Sequence, residues 1–330
     1  MKILLSIPAS FFGMVLGLVG LGDCWRVASK LWALPWWIAE LIMICAFILW
    51  MILLALYILK WVWFRKDAIA EVRHPVQSCF VGLAGVATLL AAVAIGPHIR
   101  TLGLVLYELG AVTQLLYGIY FVGITWQGGR HISTATPALY LPTVAGNFVS
   151  SFVSGYFGYP EIGIAFLGIG FFSWIAIESI ISHRLMHDEV IEALRPTIGI
   201  MLAPPVVGCI GYLFVTGGVT GEKPGLIALC LFGYGLFQFL LQFRLMRWIS
   251  QQSFNASYWA FSFGITAIAF DAIIFVSRGL NGGMELLAKT LFAWANLIIL
   301  ALVVGTLWRL CEGKLLPQLP KVIGEKTTVR

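Results

Sequence analysis

Residues 36–59 read WWIAELIMICAFILWMILLALYIL, 24 positions among which Glu40 is the single charged side chain. As a helix rising 1.5 Å per residue this stretch reaches about 36 Å, and roughly 20 residues suffice to cross the hydrocarbon core of a bilayer. It predicts a transmembrane helix.

Apolar runs bounded by charges or turn residues recur on both sides of it. They predict helices from Ile7 to Gly22 or slightly beyond, Trp36 to Leu59, Pro75 to Ile95, Thr101 to Thr125, Pro137 to Phe157, Glu161 to Ile181, Pro196 to Val215, Gly225 to Phe243, Phe254 to Val276 and Met284 to Trp308, ten in all. The start, Met1 to Leu5, is like a signal peptide, but its apolar run continues through Gly22 with Pro8, Gly13, Gly17 and Gly20 inside it, so it is read as the first span. Composition agrees. Of 330 residues, 60% are apolar and 11% charged, and the mean hydropathy is +0.93, values that a water-facing surface does not allow. The expected architecture is an all-α integral membrane domain over 1–308 and a short basic cytoplasmic tail over 309–330, with no room for a soluble catalytic domain.

Ten spans place both termini on one side. That side holds 15 of the 21 Lys and Arg residues, among them Lys60, Arg65, Lys66, Arg73, Arg130, Arg195 and Arg309, whereas the other holds Arg26, Lys30, Arg100, Lys223, Arg278 and Lys289. The positive-inside rule therefore puts both termini in the cytoplasm. The formal charge of +6 has the same origin and calls for no nucleic acid partner.

A repeat runs through the odd spans. Pro75, Pro137 and Pro196 open spans three, five and seven at intervals of 62 and 59 residues, Pro8 lies 67 residues before Pro75, and a further step of 59 reaches Asn255, a helix-starting residue at the mouth of span nine. The repeating unit is a helical hairpin, present five times. Pro and Gly interrupt the odd spans at Gly13 and Gly17, Gly82 and Gly85, Pro142 and Gly146, Pro204 and Pro205, and Gly264. On a single helix such residues serve close packing. Broken backbone at membrane depth is otherwise tolerated where it is buried or lines a wet cavity, and five interrupted helices in phase predict a central pore. The odd helices would form an inner ring in quasi-five-fold array, wrapped by the smoother even helices.

Few residues suggest chemistry. The six cysteines show no C-x-x-C spacing and read as packing residues. His183 and His187 share a helical face, but His74, His98 and His131 are scattered, so no metal set is indicated. Nucleophile elbows and phosphate-cradling loops are missing, so neither an enzyme nor a cofactor is expected. Intramembrane charge is acidic: Glu40, Glu108 and Glu178 on even spans and Asp271 on span nine. Such groups are functional hypotheses by default, and hydrogen bonding between helices is the ordinary alternative. The centre of span nine differs in kind. Trp259-Ala260-Phe261-Ser262-Phe263-Gly264 sets Phe263 near the bilayer midplane beside a glycine, where a ring could plug a narrow passage.

These residues, with Phe11-Phe12-Gly13-Met14-Val15-Leu16-Gly17-Leu18, Trp126-Gln127-Gly128-Gly129, Tyr140-Leu141-Pro142, Asn147-Phe148 and Gly199-Ile200-Met201-Leu202-Ala203-Pro204, form a series that runs almost end to end. In order and position it resembles the tellurite-resistance and dicarboxylate-transporter family, which includes the slow-type guard-cell anion channels. The resemblance implies five hairpins, a pore through each protomer, a homotrimer, and a multi-pass place in a bacterial inner membrane. It also implies that Phe263 is the gate and that Phe12, Gly13, Gly17, Pro142, Pro204 and Gly264 line the pore. The expected function is passive conduction of small inorganic anions past Phe263, linked through the family to tellurite resistance. The alternative is a proton-coupled transporter exporting tellurite or a dicarboxylate by way of Glu108 or Asp271.

Overall fold

The computed structural model describes residues 7–315. Twelve α-helices run in order: α1 (Gly13–Leu31), α2 (Trp36–Trp63), α3 (Arg65–Arg73), α4 (Ser78–Val81), α5 (Leu83–Ile95), α6 (Arg100–Trp126), α7 (Gly146–Phe157), α8 (Pro160–His187), α9 (Ala203–Val215), α10 (Leu226–Ile249), α11 (Ser262–Ser277) and α12 (Gly283–Cys311). Among the described residues, nine helical segments are long and apolar enough to cross a membrane. The remaining predicted span, the fifth from Pro137 to Phe157, is divided into a 3-10 turn (Pro137–Leu139), a π turn (Leu141–Ala145) and α7. Pro142 supplies no N–H to the helical ladder at that point, which accounts for the break.

The helices sort into two rings. α1 touches α5, α5 touches α7, α7 touches α9, α9 touches α11, and α11 returns to α1. Each longer helix seats against two members of this ring: α2 on α1 and α5, α6 on α5 and α7, α8 on α7 and α9, α10 on α9 and α11, α12 on α11 and α1. In the inner segments 72% to 89% of the apolar window is buried, against 22% to 39% in the outer helices. The outer faces that remain carry residues such as Leu240, Leu297 and Phe172, and tryptophans stand exposed near helix ends at Trp36, Trp37, Trp63, Trp126 and Trp308. Apolar flanks with aromatic ends suit a lipid surround. Small residues bring the hairpins close: a Cβ added at Gly85 would lie 3.0 Å from the Gln114 backbone.

Every inner segment changes character at one level. Before α1 comes a 3-10 turn (Ala9–Phe12), before α9 a longer one (Glu192–Leu202), and before α11 another (Ala256–Phe261), while α4 is a single turn leading into α5. Asn255 accepts a hydrogen bond from the Ser257 N–H and so caps the last of these. The regular α-helices thus begin at Gly13, Leu83, Gly146, Ala203 and Ser262.

Several boundaries depart from the sequence expectation. The first span ends at Leu31, nine residues past Gly22, whereas the expected end was at or slightly beyond that glycine, so Asp23 and Arg26 belong to it. α3 is a short helix where a loop was expected, and α12 runs to Cys311, past the predicted domain end at 308. The signal-like Met1 to Leu5 and most of the predicted tail lie outside the described residues.

Candidate functional site

The five inner segments enclose an axial cavity of about 160 Å³ on the side where both described ends of the chain lie. Each segment contributes: Ser10, Gly13 and Leu16 from the first, Phe80 and Leu83 from the second, Leu141 and Ala145 from the third, Thr197, Ile200 and Ala203 from the fourth, Ser257, Ala260 and Phe263 from the fifth. None of its 19 lining residues is ionisable. The lining residues furthest along the segments, Leu16, Leu83, Ala145, Ala203 and Phe263, make its floor. Their level is that at which the short preceding turns pass into regular α-helix, with the backbone already in the helical region on either side of the change.

Phe263 contributes the largest ring of that layer and is 9% exposed. A Cβ placed on Gly20 would stand 3.5 Å from its Cδ2 atom, so the ring reaches onto α1. Gly13 faces open space, since a Cβ there would meet nothing within 4 Å. The Gly13 carbonyl accepts a 3.4 Å hydrogen bond from the Ser262 hydroxyl, tying α1 to α11 where both helices start.

The other residues expected in the lining turn elsewhere. Phe12 packs edge-on against Tyr57 of α2 at 5.7 Å between ring centroids. A Cβ on Gly17 would collide with the Ser262 side chain, and one on Gly264 would lie 3.0 Å from Leu202, so both glycines serve helix contacts. Pro142 gives its carbonyl to the Gln114 amide of α6. Pro204 is buried and stands outside the cavity lining, where its neighbour Ala203 takes the position. One residue along a helix is a rotation of about 100°, so a motif marks the right turn of chain without marking which member faces the axis. Phe261, two residues from Phe263, is packed against Gly199 and away from the cavity.

The acidic residues divide as well. Glu108 is exposed on the outward side of α6. Glu178 accepts hydrogen bonds from Tyr140, Trp174 at 2.8 Å and Tyr234 at 3.2 Å, a position between helices. Asp271 is fully buried on α11 with no hydrogen bond to either carboxyl oxygen among the described residues, and it lies outside the cavity lining. His183 and His187 stack at 4.3 Å, and no group of three or more metal-ligating side chains is found among the described residues.

At the opposite end lies a wider vestibule of about 630 Å³, which Asp23, Arg26, Lys30, Phe152, Phe214 and Phe270 help to line. Sequence reasoning missed Asp23 by ending the first span at or slightly beyond Gly22 and giving the aspartate no role. The 16 residues from Ile7 to Gly22 reach only about 24 Å at 1.5 Å each, and that shortfall against the bilayer core was the signal available. Arg26 is accommodated inside α1 because Glu40 of α2 receives its Nε and Nη2 at 2.9 Å each, with His98 Nε2 2.7 Å from the same carboxylate.

The description "SLAC1: Voltage-dependent anion channel" matches residues 6–307 of the chain. A tellurite resistance protein TehA homolog of Haemophilus influenzae is 30% identical over 309 residues, covering 93% of this chain and 92% of the relative. An uncharacterized transporter of Methanocaldococcus jannaschii is 25% identical over 241 residues, 67% of this chain and 69% of the relative. The S-type anion channel SLAH2 of Arabidopsis thaliana is 24% identical over 315 residues, which cover 90% of this chain and 58% of the plant protein.

Proposed function

The chain belongs to the SLAC1 voltage-dependent anion channel family, and from that premise we propose that it is a passive anion channel gated by Phe263. The observation that carries this reading is the axial cavity: every inner segment lines it, no ionisable group stands in it, and a phenyl ring occupies its floor. A fixed cation would hold an anion tightly and slow its release. A weak positive potential from loops and backbone dipoles supplies a gentler attraction, which favours entry without trapping, and selection among anions then rests on the ease of shedding water.

In this reading each protomer of a homotrimer carries its own path, and the exposed apolar outer faces meet lipid or neighbouring protomers. The chain sits in a bacterial inner membrane with the axial cavity facing the cytoplasm, an orientation that the excess of basic residues on that side favours. Tellurite resistance, named for the Haemophilus relative, follows if oxyanions of tellurium are among the ions that pass. A proton-coupled exporter is less well supported, because it needs a titratable carboxyl on the path, and neither Glu108 nor Asp271 lines the axial cavity.

Purified protein in planar bilayers under chloride gradients tests the proposal. A channel gives a zero-current potential that follows the anion gradient and stays fixed when pH is changed equally on both sides or on one. A zero-current potential that moves with the pH gradient identifies a coupled carrier and rejects the channel.

A further inference from the structure

The axial face continues past Phe263 to a second barrier. Asp23 follows Leu16 by seven residues on α1, Phe152 follows Ala145 by seven on α7, and Phe270 follows Phe263 by seven on α11. Seven residues are nearly two helical turns, which return a side chain to within about 20° of its starting direction and about 10.5 Å further on. Of the five residues that succeed the cavity floor in this way, Asp23, Phe152 and Phe270 reappear in the lining of the far vestibule and Leu90 and Ile210 do not, while Phe214 of α9 joins them there. The three rings converge on one another, with centroids 4.5 Å apart for Phe152 and Phe214, 6.1 Å for Phe214 and Phe270, and 6.4 Å for Phe152 and Phe270.

Asp23 stands beside these rings, 7% exposed, and none of the described hydrogen bonds or ion pairs reaches its carboxyl group. The nearest cation on the same helix is engaged elsewhere. Arg26 gives Nε and Nη2 to Glu40, Nη1 to the Val93 carbonyl and Nη2 again to the Ala94 carbonyl, all at 2.9 Å. Arg26 therefore makes its direct contacts with Glu40 and the two carbonyls and reaches Asp23, three residues away, only through its charge. Lys30, also in the vestibule lining, is exposed and lies seven residues further out on α1.

We infer that Asp23 is a selectivity-determining residue, a negative charge at the inner end of the far vestibule that opposes anion passage at a second, aromatic constriction. This inference rests on the pore reading above. An anion arriving from the far side meets Lys30 and the Arg26–Glu40 pair in the vestibule and then Asp23 where the path narrows among apolar rings, so the charge nearest the constriction is an acid's and little water remains to screen it. One arriving from the axial cavity meets Asp23 only after passing Phe263. The effect of the charge is consequently unequal in the two directions.

The test measures currents of Phe263→Ala, Phe263→Ala/Asp23→Asn and Phe263→Ala/Asp23→Lys trimers in planar bilayers with potassium chloride. The expected result is a several-fold rise in anion current on Asp23→Asn, a larger rise on Asp23→Lys, and a zero-current potential in a salt gradient that moves toward the chloride limit in the same order. The rise is greater for anions entering from the far side. It is larger at roughly 10 mM salt, where the screening length is about 30 Å, than at roughly 1 M, where it is about 3 Å. A residue that only packs α1 in place gives no ordering by charge, no rectification and no salt dependence. Equal currents and potentials in the three proteins overturn the inference while leaving the Phe263 gate intact. Absence of current from inserted Phe263→Ala trimers overturns the pore reading and this inference together.

Discussion

Lys60 Nζ lies 2.8 Å from Glu71 Oε2, and the two side chains are 5% and 7% exposed. The other carboxylate oxygen of Glu71 accepts the N–H of Ala9 at 2.8 Å, and Lys60 also donates to the Ile7 carbonyl at 3.0 Å. A buried ion pair between α2 and α3 thus holds the first turn of the inner ring, a few residues from Gly13. Removing one partner of such a pair leaves a buried charge uncompensated, at a cost of about 3–5 kcal/mol. Glu71→Gln should lower the thermal midpoint of the detergent-solubilised protein clearly, and Lys60→Met added to it should recover part of the loss. A double variant no more stable than Glu71→Gln alone would mean that the ion pair is not the source of the effect.

Phe263 and Phe261 test the gate against ordinary packing. Both are buried, yet Phe263 lines the axial cavity while Phe261 packs against Gly199. Phe263→Ala should give a folded protein with much larger anion conductance, and Phe263→Leu an intermediate one. Phe261→Ala should change conductance far less and lose stability, roughly 3–5 kcal/mol for a buried ring. Single-channel recording together with thermal melts separates the two; if Phe261→Ala is the variant that opens, the gate has been assigned to the wrong ring.

Gly13 and Gly17 differ by about one turn and should respond oppositely. A side chain at Gly13 enters open space, so Gly13→Asp should insert and assemble normally while suppressing anion flux by bulk and charge. Gly17→Ala drives a Cβ into Ser262 and to 3.2 Å from Ile299, an overpacking expected to cost about 1–3 kcal/mol. Flux through Gly13→Asp equal to that of the parent, in protein of equal yield, would remove Gly13 from the path.

Asp271 decides between channel and carrier. Its carboxyl group is buried without a hydrogen-bonding partner among the described residues, and burying a lone carboxyl is unfavourable. Asp271→Asn should leave the zero-current potential and its independence of pH unchanged and should not lower the thermal midpoint. Loss of transport on this substitution, with folding intact, would favour proton coupling through Asp271.

The membrane class, the long outer helices and the division into inner and outer rings follow from local features, because a bilayer imposes a length and an apolar surface that any 20-residue window reveals. The interruptions at Gly13, Pro142, Pro204 and Gly264 marked which helices lie inside. The place of Phe263 in the cavity lining was legible too, through the aromatic pair beside a glycine in mid-span and the family motif around it.

Which member of each motif faces the axis was decided by the tertiary structure. The 3-10 and π turns before α1, α7, α9 and α11 reset the rotation of the helix that follows, and packing against the outer helices fixes it, so Ala145 and Ala203 took places expected of Pro142 and Pro204. The charged partnerships were equally out of reach. Lys60 with Glu71 and Arg26 with Glu40 pair side chains 11 and 14 residues apart, and Asp23 gained its place at the far vestibule only once α1 was seen to continue to Leu31. The sequence by itself determined what must be hidden from water, since apolarity is a property of each residue. Only the folded ring decided what faces the axis, since direction depends on helical phase and on the neighbours that close around it.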